Sequence, residues 1–271
     1  MPVSRPLPVM EGIDRARFER EVLPAYKPVV LKGLVRDWPA ARQGSAQQTA
    51  SYLKARASRH PLESFVGPSE IGGRFFYNET LQGLNFQRRS EPLGTVLDRL
   101  LSHLEDPAPP SIYIGAAPVT DCLPGFAREN SLDLVGPDVL PRAWIGNATT
   151  VSTHYDLSDN IACVVAGRRR FTLFPPDQLA NLYVGPLDFT LAGQPVSMVS
   201  LKDPDLDRYP RFAEALGVSM VADLEPGDAI YVPPLWWHQV ESLTPFNMLV
   251  NYWWNAADTP ASPFEALVHA I

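Results

Sequence analysis

His154-Tyr155-Asp156 and, 82 positions after the aspartate, His238 are the residues of this 271-residue chain best suited to chemistry. Two imidazoles and one carboxylate hold a divalent iron on one face and leave the opposite face open for a cosubstrate and dioxygen. His154 and Asp156 stand at i and i+2, so an extended strand carrying both points them the same way. His238 closes the aromatic stretch Tyr231-Val232-Pro233-Pro234-Leu235-Trp236-Trp237-His238, which follows a Pro226-Gly227-Asp228 turn. A His-x-Asp triplet alone turns up in many unrelated chains. The same triplet with a downstream histidine after such a turn is far more specific. The plainer alternative is a set of packing histidines, or a metal site that has decayed. All three donors are present with consistent parity, which weighs against it.

Strand parity extends the site. After the Ala166-Gly167 turn, Arg169, Phe171 and Leu173 share one parity, while Arg168, Arg170 and Thr172 share the other. The first set is expected to face inward and the second to be solvated. A buried arginine needs an anion, and where the protein offers no carboxylate a ligand must. Asn251 shares a face with Leu249 and Trp253 and would need hydrogen-bond partners there. One ligand answers both demands: a carboxylate end with an adjacent keto oxygen on the iron, and a second carboxylate in the planar fork of Arg169. That is the shape of 2-oxoglutarate. The blander readings are a surface arginine in a basic run and a packing amide. Trp236 and Trp237 read as core and pocket wall, and His60, His103 and His269 carry no motif.

Positioning these residues falls to short strands. Ser111–Ile114, Arg142–Ile145, Asn160–Ala166, Arg169–Phe174, Asp228–Val232, His238–Leu243 and Phe246–Trp254 read as strands separated by turns, the pattern of a jelly roll or barrel. An insertion at about 175–218 interrupts them, with a short helix over Pro210–Leu216 closed by Gly217. Ahead of them, Asp14 is a plausible N-cap for a helix running towards Pro24, and Pro28–Leu31 reads as a strand. Helices are predicted over Ser45–Arg56 and Pro92–Leu104. The segment Pro263–Ile271 opens an apolar helix that then stops, and is read as truncated.

Composition narrows the class. A chain that is 45% hydrophobic and 20% charged suits one large globular domain or one domain with appendages. Twenty-eight prolines and seventeen glycines imply many ordered turns, more like an all-β core than a helical bundle. A net charge of −7 argues against general nucleic-acid binding. No apolar run approaches a membrane span, and the first residues lack the apolar stretch of a signal peptide. Cys122 and Cys163 cannot build a disulfide framework. Cys163, in the run Ile161–Ala166, reads as a buried thiol in a reducing cytoplasm.

Three stretches carry a family resemblance: His154 to Asn160, Gly167 to Gln178, and Pro226-Gly227-Asp228 leading to Trp236-Trp237-His238-Gln239-Val240-Glu241-Ser242. Together they resemble the cupin-like branch of the JmjC oxygenases, which includes the asparaginyl hydroxylase acting on hypoxia-inducible factor. The resemblance runs from about Pro28 to Asn255. It implies a double-stranded β-helix, Fe(II), 2-oxoglutarate and O2. Carried over by position, His154, Asp156 and His238 match the iron ligands, and Tyr113, Asn160 and Asn251 match polar residues of the 2-oxoglutarate site. Arg169 falls where relatives place a lysine for the distal carboxylate. Three departures stand out. Val151 replaces a Thr or Ser three positions before the first histidine, so one hydrogen bond to 2-oxoglutarate is missing or comes from Thr150 or Ser152. Pro195 and Val196 fall where the asparaginyl hydroxylase has an Arg-Gln pair, which implies a different substrate. The helical pair that relatives use for dimerisation is largely lacking.

The expected fold is mainly β: a jelly-roll core over residues 111–255, an α/β flank over 1–110 packed on it, and the start of a C-terminal helix over 256–271. The expected function is Fe(II)- and 2-oxoglutarate-dependent hydroxylation, with release of succinate and CO2. A protein side chain is the first substrate by analogy, a small molecule the second and RNA the weakest. The alternatives are a cupin isomerase, a dioxygenase that does not use 2-oxoglutarate, and a non-catalytic module binding a small acid or a protein. A cytoplasmic protein with no membrane role is expected, and a homodimer if the full-length protein carries the C-terminal helices.

Overall fold

The computed structural model describes residues 4–255, so the expected C-terminal helix and His269 lie outside the described residues. The alternation that marked the central strands builds two facing sheets. A six-stranded sheet runs in the order Arg5–Pro6, Met220–Leu224, Arg169–Phe174, Trp237–Ser242, Thr150–His154, Arg74–Phe75. The second sheet has nine strands: Val9–Glu11, Val29–Lys32, Ala229–Val232, Asp159–Ala166, Asn247–Trp254, Pro141–Gly146, Ser111–Pro118, Pro61–Gly67 and Gln87–Pro92. Pairing in the central strands is antiparallel, and the architecture is a jelly roll. Strands from the first 110 residues join the nine-stranded sheet by direct pairing.

Period two decides which side chains meet. On Asp159–Ala166, Ile161, Cys163 and Val165 pack into the large outer core, while Ala162 and Val164 face the space between the sheets. Both faces of this strand are buried, so it reads in sequence as a continuous apolar run. The outer core is covered by the helices Ala46–Lys54 and Leu93–Ser102. Ser45 caps the first of these by accepting from Gln48 N–H, a bond worth about 1 kcal/mol. Asp14 caps Arg17 N–H at 2.7 Å in the same way.

Two turns hold the frame. Gly167 has φ +72°, and a Cβ there would collide with Phe246 O and Asn247 Oδ1, so the turn that delivers Arg169 requires glycine. In the Pro226-Gly227-Asp228 turn, buried Asp228 accepts from Gly33 N–H, Glu225 N–H and Lys32 Nζ. This turn ties the strand Val29–Lys32 to the core and takes no part in the site.

Three expectations need correction. Thr172, read as solvated, is 7% exposed, because the insertion packs a helix onto that face and builds a third core around Phe174, Phe212 and Trp237. That helix spans Phe212–Val218 and continues through Gly217, ending where Ser219 turns extended to enter the next strand. The metal-site strand ends at His154, so Asp156 does not lie on it. Among the described residues no helix is long and apolar enough to cross a membrane.

Candidate active site

His154 and His238 stand directly opposite each other on adjacent antiparallel strands, with ring centroids 4.4 Å apart. Each donates its Nδ1–H to a carbonyl two residues before it, His154 to Ser152 O at 2.8 Å and His238 to Trp236 O at 2.9 Å. A carbonyl only accepts, so Nδ1 carries a proton in both rings, and in a neutral ring this leaves the lone pair on Nε2. Burial, with His154 beside it, pushes His238 down to about 4, so this ring is neutral near pH 7. Asp156 follows two residues beyond the strand. Its main-chain oxygen accepts from Leu235 N–H at 2.8 Å, at a residue with φ +63°. Its carboxylate faces both imidazoles, 3.9 Å from His154 Nε2 and 3.7 Å from His238 Nε2.

These donors fit a divalent cation. One ligand atom from each of the three residues lies within 4.8 Å of the others. Asp156 Oδ2 is buried with no hydrogen-bond partner among the described residues, a costly state for a carboxylate that a coordinated cation relieves. Two imidazoles and one carboxylate are a donor set for Fe(II) with open positions left over.

Opposite the histidines, the nine-stranded sheet contributes Tyr113, Trp144, Asn160 and Asn251, so the cavity lies between the sheets. Arg169 is 2% exposed, and its Nη2 donates to Trp144 O at 3.3 Å. The Tyr113 hydroxyl lies beside this guanidinium, and Arg169 Nε has no hydrogen-bond partner among the described residues. Burial lowers the arginine from its ordinary value and pushes Tyr113 up to about 12. Among the described residues no carboxylate is paired with Arg169. A buried cation in this state fits an acidic ligand, and 2-oxoglutarate matches both the guanidinium and the metal donors. The four residues expected around the cosubstrate, Tyr113, Asn160, Arg169 and Asn251, thus line one cavity with the three metal donors.

A second cavity of about 600 Å³ adjoins the first and shares Tyr113, Trp144, Val151, His154, Asp156 and Trp253 with it. Phe65, Phe75 and Phe86 continue its aromatic wall, and residues Thr190 to Gln194 of the insertion form the opposite lip. Gln194 Nε2 lies 3.4 Å from Asp156 Oδ1. Pro195 and Val196, which fall where the asparaginyl hydroxylase has its Arg-Gln pair, follow Gln194 directly in the chain. Val196 bridges to His154 by backbone pairing and lines the same cavity as Gln194. No local pattern marks Gln194. Trp144 carried a faint signal: Ala143 and Ile145 belong to the outer core, so alternation turns Trp144 towards the site.

The sequence profile of the Cupin-like domain family matches residues 15–260. The lysine-specific demethylase JMJ31 of Arabidopsis thaliana is 27% identical over 94% of this chain and 52% of its own length. The Jumonji C domain-containing protein 5 of Drosophila melanogaster is 28% identical over 93% of this chain and 64% of its own. The tRNA wybutosine-synthesizing protein 5 of Mus musculus is 26% identical over 92% of this chain and 78% of its own. The chain therefore spans about half to two thirds of the length of the first two relatives.

Proposed function

The chain belongs to the Cupin-like domain family, and from that premise we propose that it is an Fe(II)- and 2-oxoglutarate-dependent oxygenase of the JmjC type. One observation carries the reading. The buried carboxylate of Asp156, whose Oδ2 has no hydrogen-bond partner among the described residues, faces two imidazoles and shares a cavity with a buried arginine that has no carboxylate partner among those residues.

His154, Asp156 and His238 hold the metal, and Arg169 with Tyr113, Asn160 and Asn251 holds the cosubstrate. What iron and 2-oxoglutarate supply when bound is oxidising power: O2 is consumed, 2-oxoglutarate leaves as succinate and CO2, and a substrate C–H becomes C–OH. The protein contributes position and dryness. The two backbone carbonyls keep both Nε2 atoms aimed at the metal position, and Asp156 supplies the balancing negative charge. The aromatic wall gives the adjoining cavity an apolar face, and this cavity holds the substrate group.

The substrate is a protein side chain or a small molecule, in keeping with the relative named as a lysine-specific demethylase. The relative named for tRNA wybutosine synthesis keeps RNA in view, but a net charge of −7 works against it. Two buried, unpaired cysteines support a reducing, cytoplasmic setting.

The test is anaerobic addition of Fe(II) and then 2-oxoglutarate, followed by its visible charge-transfer band. The band is expected in the wild type and absent in His154→Ala. Its absence from folded, metal-loaded wild type would overturn the reading and favour a cupin isomerase or a binding module. A band without succinate formation in air would favour a non-catalytic acid-binding module.

A further inference from the structure

We propose that Trp144 is a positioning residue that sets the hydrogen-bond polarity of the cosubstrate cavity, acting through Asn251 and Asn160. The proposal rests on the oxygenase reading above.

An indole N–H can only donate. Trp144 Nε1 lies 2.7 Å from Asn251 Oδ1, which fixes which end of that amide is oxygen. Asn251 is 1% exposed and cannot turn to water. Its Nδ2 therefore points the other way and donates to Asn160 Oδ1 at 3.1 Å. With that oxygen taken, Asn160 must turn its NH2 elsewhere. Among the described residues no acceptor is within hydrogen-bond distance of it, and Asn160 lines the cavity with Arg169 and the metal donors. The relay thus ends in a donor presented to an anionic ligand. Without the indole N–H, the two amides can reverse together and Asn160 presents an oxygen to the same anion.

Trp144 also has a second arm, because its main-chain oxygen accepts from Arg169 Nη2. Trp144→Phe removes only the indole arm. It retains the carbonyl and an aromatic ring against Trp253 and Tyr113.

The experiment titrates 2-oxoglutarate into anaerobic Fe(II)-loaded protein and reads half-saturation of the charge-transfer band. Trp144→Phe is expected to raise half-saturation by about tenfold or more, the scale of a lost buried hydrogen bond to a charged group. Fe(II) affinity should stay at the wild-type value, while the melting temperature without 2-oxoglutarate falls, in the wild-type and Asn160→Ala backgrounds alike, because a buried amide loses its indole donor. In an Asn160→Ala background the same substitution should change half-saturation less than about twofold, because the relay no longer has an end. A merely structural tryptophan would weaken both backgrounds alike. Equal half-saturation for wild type and Trp144→Phe overturns the relay and leaves the oxygenase reading standing. No band in the wild type overturns both.

Should Trp144→Phe fail to fold, the wild type answers by NMR with Zn(II) and the unreactive isostere N-oxalylglycine. The Asn160 side-chain amide protons should shift and gain protection on binding, while the Trp144 indole proton stays protected throughout. An unresponsive Asn160 amide overturns the proposal.

Discussion

Val151 and His154 face the same cavity although they are three residues apart on one strand. The reason is a bulge: His154 pairs with His238, but Val151 pairs with Val240, so the Thr150–His154 strand carries one extra residue. The bulge re-aims Val151 into the space between the metal donors and Trp144. A hydroxyl at this position would face the cavity proposed to hold the acid. Val151→Thr is expected to tighten 2-oxoglutarate by about three- to tenfold, the worth of one added hydrogen bond. Titration of the anaerobic band checks this, and unchanged or weaker binding would show that position 151 does not touch the cosubstrate.

The metal donors are costly when empty. Asp156→Asn removes a buried charge whose Oδ2 has no hydrogen-bond partner among the described residues, so the metal-free variant should match or exceed the wild-type stability by about 1 kcal/mol. Metal should reverse the order. Saturating the wild type at about 100 times Kd should add about 2.7 kcal/mol, and the variant should gain almost nothing. Urea melts with and without a chelator separate the two, and an equal metal response in both would remove Asp156 from the ligand set.

Arg169 has the same character at the other end of the cavity. Arg169→Met should stabilise the ligand-free protein by about 1–3 kcal/mol, because an underpaired buried guanidinium gives way to an apolar chain of similar length. The same variant should lose the rise in melting temperature that 2-oxoglutarate gives the metal-loaded wild type. Arg169→Lys should keep part of it, with one charge and no fork. A ligand response in Arg169→Met equal to wild type would show that the anion lies elsewhere.

On the outer face of the same strand, Arg170 holds Asp223 through two hydrogen bonds of 2.7 and 2.8 Å and keeps that carboxyl below its ordinary range. A depressed folded-state value stabilises the fold above the unfolded carboxylate range, and this is lost as pH falls through the folded value. Both side chains are over 40% exposed, so screening limits the pair to about 0–1 kcal/mol. Asp223→Asn should therefore cost less than about 1 kcal/mol at pH 7 and nothing once the wild-type carboxyl is protonated. Urea melts across acid pH check this; a penalty that persisted there would assign the effect to packing.

The local half of this protein was legible in its chain. Period-two alternation is a property of consecutive residues, so it placed Arg169, Phe171 and Leu173 between the sheets and identified the strands of Asn160, His238 and Asn251. Donor chemistry is likewise intrinsic, and two histidines with one carboxylate point to a metal wherever they meet. Tertiary structure decided what depends on pairing between distant segments. It set the bulge that turns Val151 inward, and it placed Asp156 past the strand end, held by Leu235. It also packed the insertion over Thr172 and brought Gln194 beside Asp156. The link from Trp144 to Asn251 spans 107 positions, and two adjacent antiparallel strands create it. Register across such a separation is fixed by the whole core at once, and no short window of sequence contains it.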